Sequence, residues 1–172
     1  MTAKLLISVF GDDRPGIVQR LSQVVRDQDG NWLESHLSHL GGRFAGLILA
    51  EFPATKLDTA FAELNQLSEL TLDIRAEILA DAPRDYHKFD IEIVGNDKAG
   101  IVNEITNALS RVMVNVESLN STIEPAPMSG GELFKAAIVA AAPLDLDIAE
   151  IQTALEAIAA DLMVEINMRS TQ

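Results

Sequence analysis

The chain contains an internal repeat. Residues 11–18, Gly-Asp-Asp-Arg-Pro-Gly-Ile-Val, align with residues 95–102, Gly-Asn-Asp-Lys-Ala-Gly-Ile-Val, and five of the eight positions are identical. The offset of 84 residues is about half of the 172-residue chain, which is typical of a duplicated structural unit. The sequence therefore predicts two tandem domains, 1–80 and 86–172, joined by a short linker at 81–85.

Hydrophobic periodicity predicts the element order βαββαβ in both copies. The elements expected in the first copy are a strand at 4–10, a helix with Pro15 as its first residue, a hairpin of strands 32–40 and 44–52 around Gly41-Gly42, a helix from Leu57 and a strand at 71–79. The second copy repeats them as a strand at 86–94, a helix at 99–112, strands at 114–123 and 133–141, a helix from Ile148 and a strand at 163–168.

This order is that of the ferredoxin-like fold, so the predicted class is α+β. Right-handed crossovers place both helices on one face of a four-stranded antiparallel sheet. Residues 44–52 are apolar on both faces of their strand, as are residues 136–142 in the second copy. We therefore expect the helix-free face or the sheet edge to be covered by the other repeat or by another subunit, which favours a homo-oligomer.

Composition and charge exclude several classes of function. The net charge is −13 and both halves are acidic, with 8 Lys+Arg against 12 Asp+Glu in residues 1–84 and 5 against 14 in residues 85–172. Direct nucleic-acid binding, which depends on basic residues, is therefore not expected. The chain has no cysteine, no apolar run long enough to span a membrane, and a strand at residues 4–10 where a signal peptide would lie. A cytoplasmic protein without membrane contact or cofactor is expected.

Two motifs carry a family resemblance. The Gly-x-Asp-Arg-Pro-Gly-Ile-Val stretch opens the first helix, and Asn-x-x-Glu-Ser follows at 31–35. In the second copy the pair Glu117-Ser118 lies one residue earlier than the 84-residue offset would place it. This combination resembles the ACT domain, a small amino-acid-sensing regulatory module. Two such domains without an attached enzyme are similar to the transcriptional repressors of the glycine cleavage system. The resemblance implies a non-catalytic regulator that binds a small amino acid, glycine being expected, and contacts a DNA-binding activator protein.

The loop between the first strand and the first helix of each copy is the predicted ligand site. A helix N-terminus presents unpaired N–H groups and partial positive charge to a carboxylate, and a glycine there lets a ligand approach the backbone. An aspartate can meet the ammonium group, and ACT domains commonly complete the pocket with an asparagine from a neighbouring domain. The predicted ligand-binding residues are Asp13, Arg14, Pro15, Gly16, Ile17, Asn31, Asp97, Gly100, Ile101 and Asn115. The first copy is preferred because Ala99 replaces the proline in the second.

Structural roles are alternatives for the same residues. Asp13 and Asp97 are also suited to capping the helices, a role that aspartate favours. Gly16 and Gly100 would also permit tight packing of helix on sheet, and Asn31 would suit a turn.

Other functions are also open. The protein could be a free regulatory subunit of an amino-acid biosynthetic enzyme, which would share the ligand chemistry. It could also be a hydrolase of the acylphosphatase kind, with Arg14 holding phosphate and Asn31 positioning water. The loop lacks the glycine-rich phosphate cradle, and no catalytic triad or H-E-x-x-H motif is present. His36 and His39 lie three apart on a predicted strand and point to opposite faces, so a metal site is not expected there.

Overall fold

The structure is a computed structural model that describes residues 1–68, 72–79, 85–126 and 131–171. Its internal contacts divide the chain into two compact units, Met1–Ala82 and Pro83–Gln172. The predicted linker at 81–85 lies outside the described residues except for Asp85. Each unit is considered by itself below.

Both units have the element order βαββαβ. The first unit consists of β1 (Thr2–Asp12), α1 (Ile17–Asp27), β2 (Asn31–Leu40), β3 (Arg43–Pro53), a short 3₁₀ turn (Ala54–Lys56), α2 (Leu57–Ser68) and β4 (Leu72–Leu79). The second unit consists of β5 (Tyr86–Asn96), α3 (Ile101–Arg111), β6 (Asn115–Pro125), β7 (Glu132–Pro143), α4 (Ile148–Leu162) and β8 (Val164–Thr171). The strand orders are β2-β3-β1-β4 and β6-β7-β5-β8, all antiparallel. The predicted α+β fold with two ferredoxin-like units is confirmed.

One face of each sheet forms the core with the two helices. Successive side chains of a strand point to opposite faces, so every second residue of β1 and β5 is buried. Each such side chain contributes about 1.5–3 kcal/mol relative to an exposed one. The buried hydrophobic residues that these strands and their following helices supply are Leu5, Ile7, Val9, Ile17, Leu21, Val24 and Val25 in the first unit, and Phe89, Ile91, Ile93, Ile101, Ile105 and Leu109 in the second.

Both first helices begin later than the sequence predicts. Pro15 is not the first helical residue, because α1 begins at Ile17 after Gly16, whose φ is +94°. Likewise α3 begins at Ile101 instead of Ala99, after Gly100 with a φ of +88°. The chain reverses direction in this left-handed conformation before the helix starts, so Pro15 shapes the turn that precedes the helix.

A β-bulge in β2 and another in β6 show how the two copies align along these strands. The pairing of β2 with β3 shifts between Trp32 and Glu34, and that of β6 with β7 shifts between Val116 and Ser118. The two bulges are 84 residues apart, so Glu34 and Ser118 occupy equivalent positions. The one-residue shift that aligned Glu34-Ser35 with Glu117-Ser118 is therefore wrong, and the repeat keeps one offset through this strand.

The packing of the second sheet explains why glycine occupies position 95. A Cβ built on Gly95 would lie 2.4 Å from Cγ1 of Val164 on the adjacent strand β8. We expect Gly95→Ala to lower the free energy of unfolding by about 1–3 kcal/mol, because overpacking displaces neighbouring groups. Urea unfolding followed by circular dichroism would measure the change.

Two further variants test the cause. Gly131→Ala should be close to neutral, because a Cβ at Gly131 meets no atom of the described residues within 4 Å. Val164→Ala in the Gly95→Ala background should recover part of the loss, since contacting residues couple energetically. Additive losses in the double variant would contradict the overpacking explanation.

Candidate functional site

Each strand-to-helix loop is held against the hairpin of its own unit. In the first unit the Asp13 N–H donates to the carbonyl oxygen of Gly42 at 3.1 Å. In the second unit the Asp97 N–H donates to the carbonyl oxygen of Glu132 at 2.9 Å. The loop therefore lies beside the end of the second strand and the start of the third, and residues of that hairpin can contribute to a site at the helix N-terminus.

The two loop glycines are required by backbone conformation. A Cβ on Gly16 would meet only Oε1 of Gln19, at 3.9 Å, and a Cβ on Gly100 would meet nothing within 4 Å. The alternative that these glycines permit tight packing is therefore wrong. Their positive φ values are strained for other residues, which accounts for glycine at both positions.

Among the described residues, helices α1 and α3 start without a side-chain cap. Gly16 and Gly100 are the N-cap residues, and no side chain accepts a capping hydrogen bond at either helix. The alternative that Asp13 and Asp97 cap the helices is therefore wrong. The first helical hydrogen bond of α1 runs from the Arg20 N–H to the Gly16 carbonyl, so the N–H groups of residues 17–19 precede it. These groups and the helix dipole provide favourable surroundings for a carboxylate.

Ion pairs surround the loop of the first unit. Asp12 pairs with Arg43 and lies 3.7 Å from a guanidinium nitrogen of Arg14. Nε2 of His39 lies 3.8 Å from the Asp13 carboxylate. Sequence reasoning included Arg14 and Asp13 but missed His39 and Arg43. The Gly41-Gly42 turn was the available signal, because a tight hairpin turn brings both flanking residues to the same end of the sheet.

A depression lies at the equivalent loop of the second unit. Its volume is about 480 Å³, and it brings together the predicted residues Asp97, Gly100 and Ile101. Sequence reasoning missed its other wall, which is formed by residues 121–123 of β6 and by Phe134 of β7. Register places Ile123 where the first unit has His39, so this loop has an apolar neighbour in place of an ionisable one. The preference for the first copy remains a prediction.

Asn31 and Asn115 lie far from the loops of their own units. Asn31 pairs with Glu51, which pairs with Lys4 near the beginning of β1, whereas the loop follows Asp12 at its end. The eight intervening steps span about 26 Å of strand. Asn115 is displaced from its loop in the same way. Neither asparagine can contact the candidate loop site of its own unit, so a role in binding would require a neighbouring copy.

The same register separates the residues required by the other functions. Arg14 and Asn31 are at opposite ends of the first sheet, so a single unit does not form the phosphate-and-water arrangement of an acylphosphatase-like hydrolase. Nε2 of His36 lies 3.0 Å from the Glu34 carboxylate, while His39 approaches Asp13. Within the described ranges, no three His, Asp or Glu side chains are grouped to hold a metal ion. No helix in these ranges has the length and apolar character needed to cross a membrane.

Comparison with known proteins assigns the first unit. An ACT-domain family model matches residues 3–77. The crystal structure of an unknown protein from Galdieria sulphuraria is similar over 100% of both chains, with 26% identity and a TM-score of 0.85. No curated protein matches the chain. Residues 3–77 match the ACT-domain family, and the second unit repeats the strand order of the first.

A second solved structure has the same architecture. It is described as a candidate glycine cleavage system transcriptional repressor, and it is 19% identical with a TM-score of 0.71. The match covers 100% of this chain and 99% of that one. This chain therefore resembles that repressor in fold over its full length.

One titrating group near the second loop has a shifted pKa. The hydrogen bond from Lys135 to Glu124, with Nζ 2.7 Å from Oε2, and the charge of Lys135 lower the Glu124 pKa from its ordinary value of 4.5. Stability from this group is present above the unfolded pKa and is lost as pH falls through the lower folded pKa.

We expect Lys135→Met to raise the pKa of Glu124 towards its ordinary value, because both stabilising effects are removed. An NMR titration of the Glu124 side-chain carbon would measure it. Lys88→Met is the matched control, since Lys88 pairs with Glu117 on the same sheet. An unchanged Glu124 pKa in Lys135→Met would refute the assigned cause.

Proposed function

We propose that this protein is a non-catalytic regulator that senses a small amino acid, with glycine as the ligand. The observation that carries the proposal is the ACT domain over residues 3–77, whose glycine-opened helix start recurs in the second unit. ACT domains generally bind small amino acids. The fold shared with the candidate glycine cleavage repressor supports glycine in particular.

The chemistry of the loops suits a zwitterion. The amino-acid carboxylate would accept hydrogen bonds from the N–H groups at the start of α1 or α3. The ammonium group would meet Asp13 in the first unit or Asp97 in the second. The absence of a side chain at Gly16 and Gly100 leaves open space at the approach. Arg14, Pro15, Ile17 and Ile101 would shape the loop and the first helical turn around the ligand.

A complete pocket would include a neighbouring copy. Asn31 and Asn115 are about 26 Å of strand away from their own loops, so they would reach a ligand only across a boundary between domains or subunits. A homo-oligomer would supply such a boundary. Exposed apolar side chains on the helix-free face of the first sheet support this assembly, among them Phe10 at 52% and Leu47 at 45% exposure.

Regulation would pass through a protein partner. Both halves of the chain are acidic, which disfavours contact with DNA phosphates and supports binding to a DNA-binding activator protein in the cytoplasm. The alternative is a free regulatory subunit of an amino-acid biosynthetic enzyme. The two differ in the partner and share the ligand site.

Calorimetric titration tests the ligand. Glycine should bind the intact protein, and Gly16→Ala or Gly100→Ala should weaken binding at least about tenfold, because one charge-assisted hydrogen bond contributes about 1.5–3 kcal/mol. Serine and alanine complete the panel of ligands. Gly41→Ala is the control for backbone strain, since Gly41 also has a positive φ, +59°, and open space around it. Failure of every amino acid in the panel to bind would refute the sensor proposal, and unchanged affinity in both loop variants would move the site elsewhere.

A pull-down from cell extract, with and without glycine, tests the partner. Recovery of a DNA-binding transcription factor is expected, in an amount that changes with glycine because ligand binding stiffens the interface between domains. Mass spectrometry would identify the captured protein. Recovery of a biosynthetic enzyme in its place would favour the regulatory-subunit alternative.

A further inference from the structure

A cavity of about 180 Å³ lies on the helix-free face of the second sheet. Every strand of that sheet contributes to it. Strand register places one row of residues across the sheet, Ser118, Val139, Asp90 and Arg169. The next row is Asn120, Ala137, Glu92 and Asn167. We call this cavity the polar trough.

Small residues form the floor of the polar trough. Ala137 and Val139 lie on β7 between the carboxylates of β5 and the polar groups of β6. Since neighbouring strands are about 4.8 Å apart, these two walls stand about 10 Å from each other. In the first unit the equivalent positions on β3 are Leu47 and Leu49, which are larger. The second sheet is therefore hollow where the first carries leucines.

The side chains around the floor are free to bind a ligand. Among the described residues, Asp90, Ser118, Asn120 and Asn167 have no hydrogen-bond or ion-pair partner in their side chains. Glu92 has one distant pairing, 4.0 Å from Arg169. The first unit has Leu6 and Ser8 in place of Asp90 and Glu92. The charged lining is thus a property of the second unit.

Charge and size define the class of ligand. Two carboxylates against one guanidinium, in a half with 14 acidic and 5 basic residues, attract a cation. The volume of about 180 Å³ restricts the ligand to a small molecule. Ser118 and Asn120 lie on the wall opposite Asp90 and can accept hydrogen bonds from an ammonium group.

We propose that the polar trough binds a small compound with a primary ammonium group, held between Asp90 and Glu92 on one side and Ser118 and Asn120 on the other. The compound is either a simple amine or an amino acid. In the second case Arg169 would bind the carboxylate of the amino acid. This site is separate from the loops at the helix N-termini and does not rest on their proposed function.

NMR titration of the full chain tests the proposal at the site itself. The side-chain amide signals of Asn120 and Asn167 are followed with ethanolamine, glycine and acetate. Ethanolamine, glycine or both should shift these signals saturably, and acetate should not. Saturation by ethanolamine identifies a simple amine as sufficient, whereas saturation by glycine alone identifies an amino acid. Absence of saturation with both, or equal shifts with acetate, would overturn the proposal.

Three variants test the residues. Asp90→Asn should weaken binding about tenfold or more, because it removes the charge and keeps the shape. Ala137→Leu should abolish binding, because the larger side chain would fill the floor of the trough. Leucine is the residue at the equivalent position of the first unit, Leu47. Asp161→Asn, at an exposed position of helix α4, removes the same charge away from the cavity and should leave binding unchanged. Equal weakening in Asp90→Asn and Asp161→Asn would show attraction by overall charge and overturn the proposal.

Discussion

Burial of one sheet face under two helices is the interaction on which each unit depends. Alternate residues of the central strands, such as Leu5 and Ile7 or Ile91 and Ile93, are almost fully buried against the helices. This requirement fixes one side of every strand, because slipping the register by one residue would exchange the two faces. The other side of the sheet carries no such requirement. On that side the middles of the two sheets differ in chemistry.

The same register determines what the candidate site can contain. Since β1 and β2 run in the same direction on either side of β3, the end of β1 lies beside the end of β2 and far from its beginning. The loop at Gly16 consequently meets His39 and Arg43, while Asn31 lies at the opposite end of the sheet. A ligand site that used both the loop and the asparagine would therefore need a neighbouring copy, since a single unit brings only the loop and its hairpin together.

Most of the fold could be predicted from the sequence, because duplication presents each pattern twice. The glycine-opened helix start and the alternating apolar strands recur at one offset, which made the order βαββαβ clear. Local pattern does not reveal the left-handed conformation of Gly16 and Gly100, so the sequence predicts Pro15 inside the helix. It also could not reveal the bulges, because an extra residue on one strand is defined by its pairing partner. For the candidate site, sequence adjacency predicts the loop but misses His39 and Ser121, which lie beside it only through strand pairing.

Divergence of the two copies follows from which positions are constrained. Positive φ values restrict the two loop positions to glycine in both units. Residue types in the exposed rows of the sheets are restricted neither by packing in the core nor by a turn conformation. Leucines occupy the middle of the first helix-free face, and aspartate, glutamate and small residues occupy the middle of the second. An apolar face gains by being covered, whereas a carboxylate face loses hydration when it is covered by apolar groups. The first sheet is thus suited to contact with another protein surface, and the second to an aqueous face that can admit a small cation. One fold can in this way provide both an assembly surface and a ligand surface without a change in its core.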